Sequence, residues 1–189
     1  MSLFKKTLLL FVPVVLLVGA CNTDEENVAP TDSNEAITTA TLSLTNTATP
    51  TEVVTATIDN LTTQIDTSKY VLRLRANTTY SGAVTLLDKT KTPTLNVSAE
   101  VKEEGNEHLF VYTFTPAAGS PASMTITATD KDTNPAPGPY PIGLTTQIRT
   151  GAVGSGKLNV VLRHQPDVKN GTAQPGSSDL DTDFKVLIQ

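Results

Sequence analysis

The sequence has one cysteine, two histidines and no tryptophan in 189 residues, and only 5% of it is aromatic. A single Cys excludes a disulfide framework within the chain and any zinc site built from several Cys ligands. Basic residues are also in the minority, because 14 Lys and Arg stand against 19 Asp and Glu and give a formal net charge of −5. A nucleic-acid-binding protein needs a basic face, so we expect no nucleic-acid partner.

Complete catalytic motifs are also missing from the sequence. Serines are plentiful, but no Gly-x-Ser-x-Gly nucleophile elbow occurs. The glycine-rich stretch 151–157 lacks the Gly-Lys-Ser/Thr ending of a phosphate-binding loop. We therefore expect a protein that is not an enzyme.

Residues 1–20 have the pattern of a secretory signal peptide. Lys5 and Lys6 precede an apolar run over residues 8–18, which is too short to span a bilayer of about 30 Å as a stable helix. The run Leu-Val-Gly-Ala-Cys at 17–21 resembles the bacterial lipobox. This resemblance implies cleavage before Cys21 and a lipid anchor on its sulfur, which would make the membrane a partner. The alternative is an ordinary signal peptide in which Cys21 occurs by chance.

Residues 21–36 are polar and acidic, which predicts a disordered tether behind the lipidated cysteine. Their acidic start resembles the surface-export signal of Bacteroidota lipoproteins. That similarity implies a position on the outer membrane, facing the cell surface. The alternative is a solvated linker in the periplasm.

The remaining region, 37–189, is dominated by apolar–polar alternation and by 32 threonines in the whole chain. This pattern predicts an all-β fold, an antiparallel β-sandwich similar to immunoglobulin and fibronectin type III domains. The candidate strands are 37–45, 52–58, 70–75, 80–88, 95–103, 107–115, 123–129, 143–150, 156–164 and 180–188.

Three local patterns refine this prediction. Gly105 and Asn106 form a two-residue turn signal, which predicts a hairpin that pairs 97–104 with 107–114. Residues 74–80 resemble the tyrosine corner of fibronectin-like sandwiches, with Tyr80 as the tyrosine and Ala76 where proline is usual. The alternative for Tyr80 is a half-buried residue that opens a strand.

A faint internal similarity suggests two repeats, 37–105 and 107–189. Thr-Ala-Thr occurs at 55–57 and at 127–129, and Ser-Gly at 81–82 and at 155–156. Such repeats could stack as two small sandwiches or merge into one.

The two histidines suggest a divalent metal site, with Zn²⁺ or Cu²⁺ as the cofactor. His108 opens one predicted strand and His164 closes another, so antiparallel neighbours would bring both to one end of the sandwich. Glu103, opposite His108 in the predicted hairpin, would supply a carboxylate. Two imidazoles and a carboxylate can hold such an ion and leave one position open. The last strand could also bring Asp179 near His164. The alternative is that His108 pairs with Glu103 and His164 packs under a loop.

A second candidate is a calcium loop formed by Asp130, Asp132 and Asn134. Alternating oxygen ligands suit Ca²⁺, but Pro135 follows where the EF-hand pattern has glycine. The alternative is a rigid turn fixed by Asn and Pro.

Near the end of the chain, Asp179, Asp181 and Asp183 alternate with other residues. Period two would place all three on one face, either in solvent or guarding a sheet edge. The preceding segment, 165–178, is long for a hairpin connection and suggests contact with a partner or ligand.

Several stretches resemble a family of lipoproteins from Flavobacteria and other Bacteroidota that often carries the label "type 1 periplasmic binding fold superfamily". The matching stretches are 103–108, 143–146, 156–171 and 175–184. The label implies an α/β fold, which the alternating strands contradict. Members tend to be encoded beside TonB-dependent outer-membrane receptors, and the resemblance therefore implies an accessory role in uptake.

Two functions of different class follow from these patterns. The first is an envelope-anchored binding module that captures a ligand, such as a metal ion, for an outer-membrane receptor. The second is a structural or adhesive surface sandwich that has no small-molecule ligand.

Overall fold

The computed structural model describes residues 36–61 and 70–189. The predicted signal peptide, Cys21 and the predicted tether up to residue 35 lie outside the described residues. The described part contains ten strands and one short helix. In chain order these are β1 (Thr39–Asn46), β2 (Val53–Asp59), β3 (Val71–Leu74), β4 (Thr79–Asp88), β5 (Leu95–Asn96), α1 (Val97–Glu103), β6 (His108–Pro116), β7 (Met124–Ala128), β8 (Thr145–Thr150), β9 (Gly154–His164) and β10 (Ser177–Ile188).

The strands form two sheets. The first sheet has the order β2-β1-β4-β8-β7, and the short β5 pairs with the end of β4. The second sheet has the order β3-β10-β9-β6. Neighbouring strands are antiparallel except β3 and β10, which are parallel. The predicted all-β sandwich is therefore confirmed.

Period-two alternation builds the core between the two sheets. In β4 and β10 every second residue is buried, because alternate side chains of a strand point to opposite faces. Burial of each such leucine-sized side chain stabilises the fold by about 1.5–3 kcal/mol. The largest completely buried apolar side chains include Leu42, Leu44, Leu86, Ile148, Leu158, Leu162 and Phe184.

Seven of the strands follow an ordered pattern across the two sheets. When β1, β4, β6, β7, β8, β9 and β10 are taken in chain order as strands A to G, the first sheet reads A-B-E-D and the second reads G-F-C. This is the strand order of a constant-type immunoglobulin sandwich. Strands β2, β3 and β5 and the helix are additions to that order.

The predicted hairpin around Gly105 and Asn106 is wrong. Residues 97–103 form the helix α1, and β6 pairs with β9 instead. Val97 and Val101 are both buried, and their spacing fits a helix face as well as a strand face. Ala, Glu and Lys between and after them favour a helix, and Gly105 follows its end.

The two proposed repeats do not fold separately. Strands from 37–105 and from 107–189 mix in both sheets, since β4 pairs with β8 and β3 pairs with β10. The two Ser-Gly stretches also lie in different surroundings, because one is in β4 of the first sheet and the other is in β9 of the second.

The predicted tyrosine-corner contact is present. Tyr80 is completely buried, and its hydroxyl accepts a hydrogen bond of 2.8 Å from the backbone N–H of Arg75. The bond satisfies a backbone donor at the point where the chain turns from β3 into β4, so it fixes the path of this connection.

Candidate functional site

The two histidines face each other at one end of the sandwich. β6 and β9 are antiparallel neighbours, and their register places His108 directly opposite His164. The imidazole rings are stacked, with centroids 4.8 Å apart and planes 7° from parallel. The positions of the histidines at strand ends predict that both reach the same end of the sandwich, and the register confirms this.

Asp179 completes the group through an irregularity in β10. The register between β9 and β10 shifts between Ser178 and Leu180, so Asp179 is one extra residue in β10 at the position of the shift. A β-bulge of this kind re-aims a side chain. The Asp179 carboxylate lies 3.7 Å from Nε2 of His108, and its side chain is only 3% exposed.

One tautomer of His108 fits these surroundings. Its Nδ1 lies 3.1 Å from the backbone oxygen of Glu104. A carbonyl oxygen can only accept a hydrogen bond, so Nδ1 carries a proton, and in the neutral form of the ring this leaves a lone pair on Nε2. Burial lowers the pKa of His108 and outweighs the opposite effects of this hydrogen bond and of Asp179. The neutral imidazole required of a metal ligand is therefore favoured.

The ligand atoms of the group are close enough for one small ion. One atom from each of His108, His164 and Asp179 can be chosen so that all three lie within 4.8 Å of one another. Zinc bonds of about 2.0–2.2 Å place two ligands on a tetrahedral ion roughly 3.4 Å apart. Because the two rings are nearly parallel, at least one imidazole would have to rotate out of the stack for both to direct a nitrogen lone pair at one ion, and one coordination position would then stay open.

Burial within the group is graded from one side to the other. The side chains of His108 and Asp179 are 2% and 3% exposed, whereas that of His164 is 17% exposed. Solvent therefore reaches the group from the side of His164. There the carboxylate of Glu107 lies 3.6 Å from Nε2 of His164, and its side chain is 43% exposed.

Glu103, the carboxylate that sequence analysis assigned to the site, is elsewhere. It is the last residue of α1, and the group that could hold an ion contains Asp179 instead. The assignment depended on the hairpin that does not form. The sequence also predicts that the last strand returns beside the strand of His164 and brings Asp179 near it, and the β9–β10 pairing confirms that expectation.

The candidate calcium loop is organised by a lysine. Oδ2 of Asp132 lies 2.9 Å from Nζ of Lys169, and both side chains are buried. The same carboxylate accepts hydrogen bonds from the backbone N–H groups of Tyr140 and Asn134 and from the side-chain amide of Asn134. The ammonium group occupies the place that a cation would need, so the geometry does not favour calcium at Asp132.

The contacts of Asp130 and Asn134 do not favour calcium binding either. The Asp130 carboxylate accepts hydrogen bonds from the backbone N–H groups of Gly143 and Thr145. The amide of Asn134 donates to Asp132 and to the backbone oxygen of Asn106. These contacts fit the alternative interpretation, a rigid turn in which acidic side chains satisfy backbone donors.

The row of three aspartates is divided by the bulge. Asp181 and Asp183 stay on the outer face, where the side-chain amide of Asn159 donates to both. Lys157 also lies 3.0 Å from Asp183. Asp179 alone turns towards the histidines, so the predicted common face of all three is wrong.

The long connection between β9 and β10 is held down by its own hydrogen bonds. The guanidinium group of Arg163 donates to backbone oxygens of Gln174, Pro175 and Gly176. The completely buried Gln165 donates through its side-chain amide to the backbone oxygens of Thr172 and Pro175. This loop therefore fixes the chain on both sides of the site, between His164 and Asp179.

Comparison with protein-family models, with curated proteins and with solved structures finds no match to this chain. The likeness to immunoglobulin and fibronectin type III domains therefore stays a prediction that rests on strand order. Within residues 36–61 and 70–189, no helix has the length and apolar character needed to cross a bilayer.

Proposed function

We propose that this chain is a non-enzymatic binding module, anchored to the bacterial envelope by a lipid on Cys21, that captures a divalent transition-metal ion. The ion would be Zn²⁺ or Cu²⁺, held by His108, His164 and Asp179. The observation that carries the proposal is the placement of two facing imidazoles and one inward-turned carboxylate within reach of a single ion.

The chemistry of the donor set supports this assignment. Imidazole nitrogen and carboxylate oxygen suit Zn²⁺ and Cu²⁺. Nε2 of His108 and the carboxylate of Asp179 lie 3.7 Å apart, so a nitrogen donor and an oxygen donor are near enough to bind the same ion. The bond from His108 Nδ1 to the Glu104 oxygen is the kind of outer contact that orients metal-binding histidines.

The cellular setting comes from the sequence. The lipobox-like residues 17–21 support the anchor, and the acidic residues behind Cys21 support the outer membrane and the cell surface. The resemblance to Bacteroidota lipoproteins supports an outer-membrane receptor of the TonB-dependent type as the partner. A module beside such a receptor would raise the local supply of the ion that the receptor transports.

The test is a titration of the mature protein in detergent with ZnCl₂ and with CuCl₂, followed by calorimetry and by the shift in Tm. We expect one ion per chain. The double variant His108→Ala/His164→Ala should lose the signal, and Asp179→Asn should weaken binding by about tenfold or more. Asp181→Asn, a matched change on the outer face of the same strand, should bind as the wild type does.

Circular dichroism of each variant checks that the fold is intact. A wild-type protein that shows neither heat nor a Tm shift with either ion would exclude the metal function. The structural or adhesive sandwich would then be the better explanation. Equal binding by the double-histidine variant would show that the ion binds elsewhere.

A further inference from the structure

Glu107 lies between the metal-binding group and solvent. Its carboxylate is 3.6 Å from Nε2 of His164, and its side chain is 43% exposed. Its backbone is fixed on both sides, because its N–H donates to the oxygen of Glu104 and its oxygen accepts from the N–H of Gln165. The side chain can therefore move towards or away from an ion while the backbone stays in place.

Glu107 also lines a polar cleft of about 350 Å³. The other lining residues are Asn106, Asn134, Asp167 and Lys169. The charge of Lys169 is balanced by Asp132 at 2.9 Å. The carboxylates of Glu107 and Asp167 therefore leave the cleft with negative charge, which attracts cations and repels anionic chelates.

The coordination count leaves a place for Glu107. His108, His164 and Asp179 supply three donors, and a tetrahedral zinc ion takes four. Two imidazoles and one carboxylate carry a single negative charge, whereas a second carboxylate would neutralise the two positive charges of the ion. Glu107 is the half-exposed carboxylate beside His164, so it is suited to a ligand that exchanges with water.

We propose that Glu107 is an exchangeable fourth ligand, and that the metal arrives through this cleft as a free hydrated cation. Asp167 would attract the ion into the cleft, and Glu107 would take it from water and transfer it to the two histidines. This inference rests on the proposed function, because it concerns the same site.

The test uses the mature protein in detergent, with Zn²⁺ alone as the ligand and a zinc-sensitive dye as the competitor. Stopped-flow mixing gives association and dissociation rates for wild type, Glu107→Gln and Asp167→Asn. Glu103→Gln is the matched control, since Glu103 is a glutamate at the end of α1 and outside the group. Cobalt(II) substitution gives a second readout, because its visible absorption reports the number and type of ligands.

We expect Glu107→Gln to weaken affinity by about tenfold, mainly through faster dissociation, and to change the cobalt spectrum. Asp167→Asn should slow association several-fold, and the slowing should diminish at high salt, while the cobalt spectrum stays unchanged. Glu103→Gln should match wild type. Zinc supplied as an excess-citrate complex should bind no better than its free zinc content allows.

Two results would overturn this inference. If Glu107→Gln matches wild type in affinity, rates and cobalt spectrum, Glu107 is not a ligand, although the metal function stands. If wild type binds no zinc or copper at all, the proposed function fails and this inference fails with it.

Discussion

The buried ion pair of Lys169 and Asp132 shows how one distant residue can give a calcium-like sequence pattern a structural role. Nζ of Lys169 lies 2.9 Å from Asp132 and also donates to the backbone oxygen of Gly105 at 2.7 Å. The pair therefore connects the β9–β10 loop, the loop after β7 and the turn before β6. The alternating Asp-x-Asp-x-Asn pattern suggests calcium, but the positive charge that lies against Asp132 is the ammonium group of Lys169, 37 positions further along the chain.

The acid stability of the protein should depend on Asp132. Burial acts to raise the pKa of this carboxyl group, but Lys169, the Tyr140 N–H and Asn134 outweigh burial and hold the pKa below its ordinary value near 3.8. A lowered folded pKa means that the unfolded chain binds the proton more readily. The stabilisation is therefore complete above about pH 4 and is lost as the pH falls through the folded pKa.

We expect Asp132→Asn to lower the free energy of unfolding at pH 7 by roughly 3–5 kcal/mol, because it leaves the Lys169 charge buried without its partner. Urea titrations at pH 7 and between pH 2 and 5 measure the effect. The double variant Asp132→Asn/Lys169→Met should recover part of the loss, and Asp181→Asn should change little. A loss below 1 kcal/mol would contradict this role of the pair.

At the scale of elements, the bulge in β10 decides which carboxylate joins the site. Alternation along Leu180, Thr182 and Phe184 sets the inward face, and the same alternation would turn Asp179 outward. The extra residue reverses that direction for Asp179 alone. No local signal in the sequence announces the bulge, because it depends on how β10 pairs with β9.

Removal of the bulge should turn the Asp179 side chain away from the two histidines. Deletion of Ser178 would restore regular pairing of Ser177 with His164, Asp179 with Arg163 and Leu180 with Leu162, so the Asp179 side chain would face outward. We expect zinc affinity to fall about tenfold or more, as in Asp179→Asn, while circular dichroism still shows strands.

Ser178→Ala is the control for this deletion, because it keeps the bulge and loses only the hydroxyl contact with Arg163. Its zinc affinity should equal that of wild type. If the deletion variant binds zinc as tightly as wild type does, Asp179 is not aimed by the bulge.

After the bulge in β10, the helix α1 is the second element that the sequence pattern does not predict. Val97 and Val101 are four positions apart. This separation puts both residues on one face of a strand and also on one face of a helix, so apolar periodicity alone does not distinguish the two. The helix-forming residues Ala99, Glu100 and Lys102 are the signal that favours the helix. The mistaken strand over these residues placed Glu103 in the proposed metal site and concealed the direct pairing of His108 with His164.

For the molecule as a whole, alternation was enough to predict the fold class and the position of most strands. β4 and β10 each bury one face and expose the other. Apolar and polar residues therefore alternate along these strands in the sequence, and this alternation is what predicts a strand. The strand order was not predictable, because β3 with β10 and β6 with β9 are partners from distant parts of the chain. The two histidines could be brought together only because each lies at the end of a clear strand.

The proposed attachment to the envelope is also tested on the whole chain. Cys21, outside the described residues, is the predicted lipid site, and each buried CH₂ of an attached acyl chain contributes about 0.8 kcal/mol of membrane binding. We expect Cys21→Ser to move the protein from the detergent-rich phase to the aqueous phase in phase-separation assays of whole-cell extracts. Ser33→Ala, within the predicted tether, should stay with the detergent.

Protease treatment of intact cells would show the side of the outer membrane. Digestion of the wild-type domain supports the cell surface, and its survival supports the periplasmic side. A Cys21→Ser protein that still enters the detergent phase would contradict lipid anchoring at this residue.

The parallel contact between β3 and β10 has a consequence for folding kinetics. Val71 pairs with Lys185, so this ladder forms only when β3, near the start of the described residues, meets β10 at their end. Closing such a long loop lowers the entropy of the chain before the stabilising contacts between the strands have formed, and folding rates fall as contact order rises. We therefore expect slow folding, limited by the search for distant partners, with β10 as the strand that closes the second sheet.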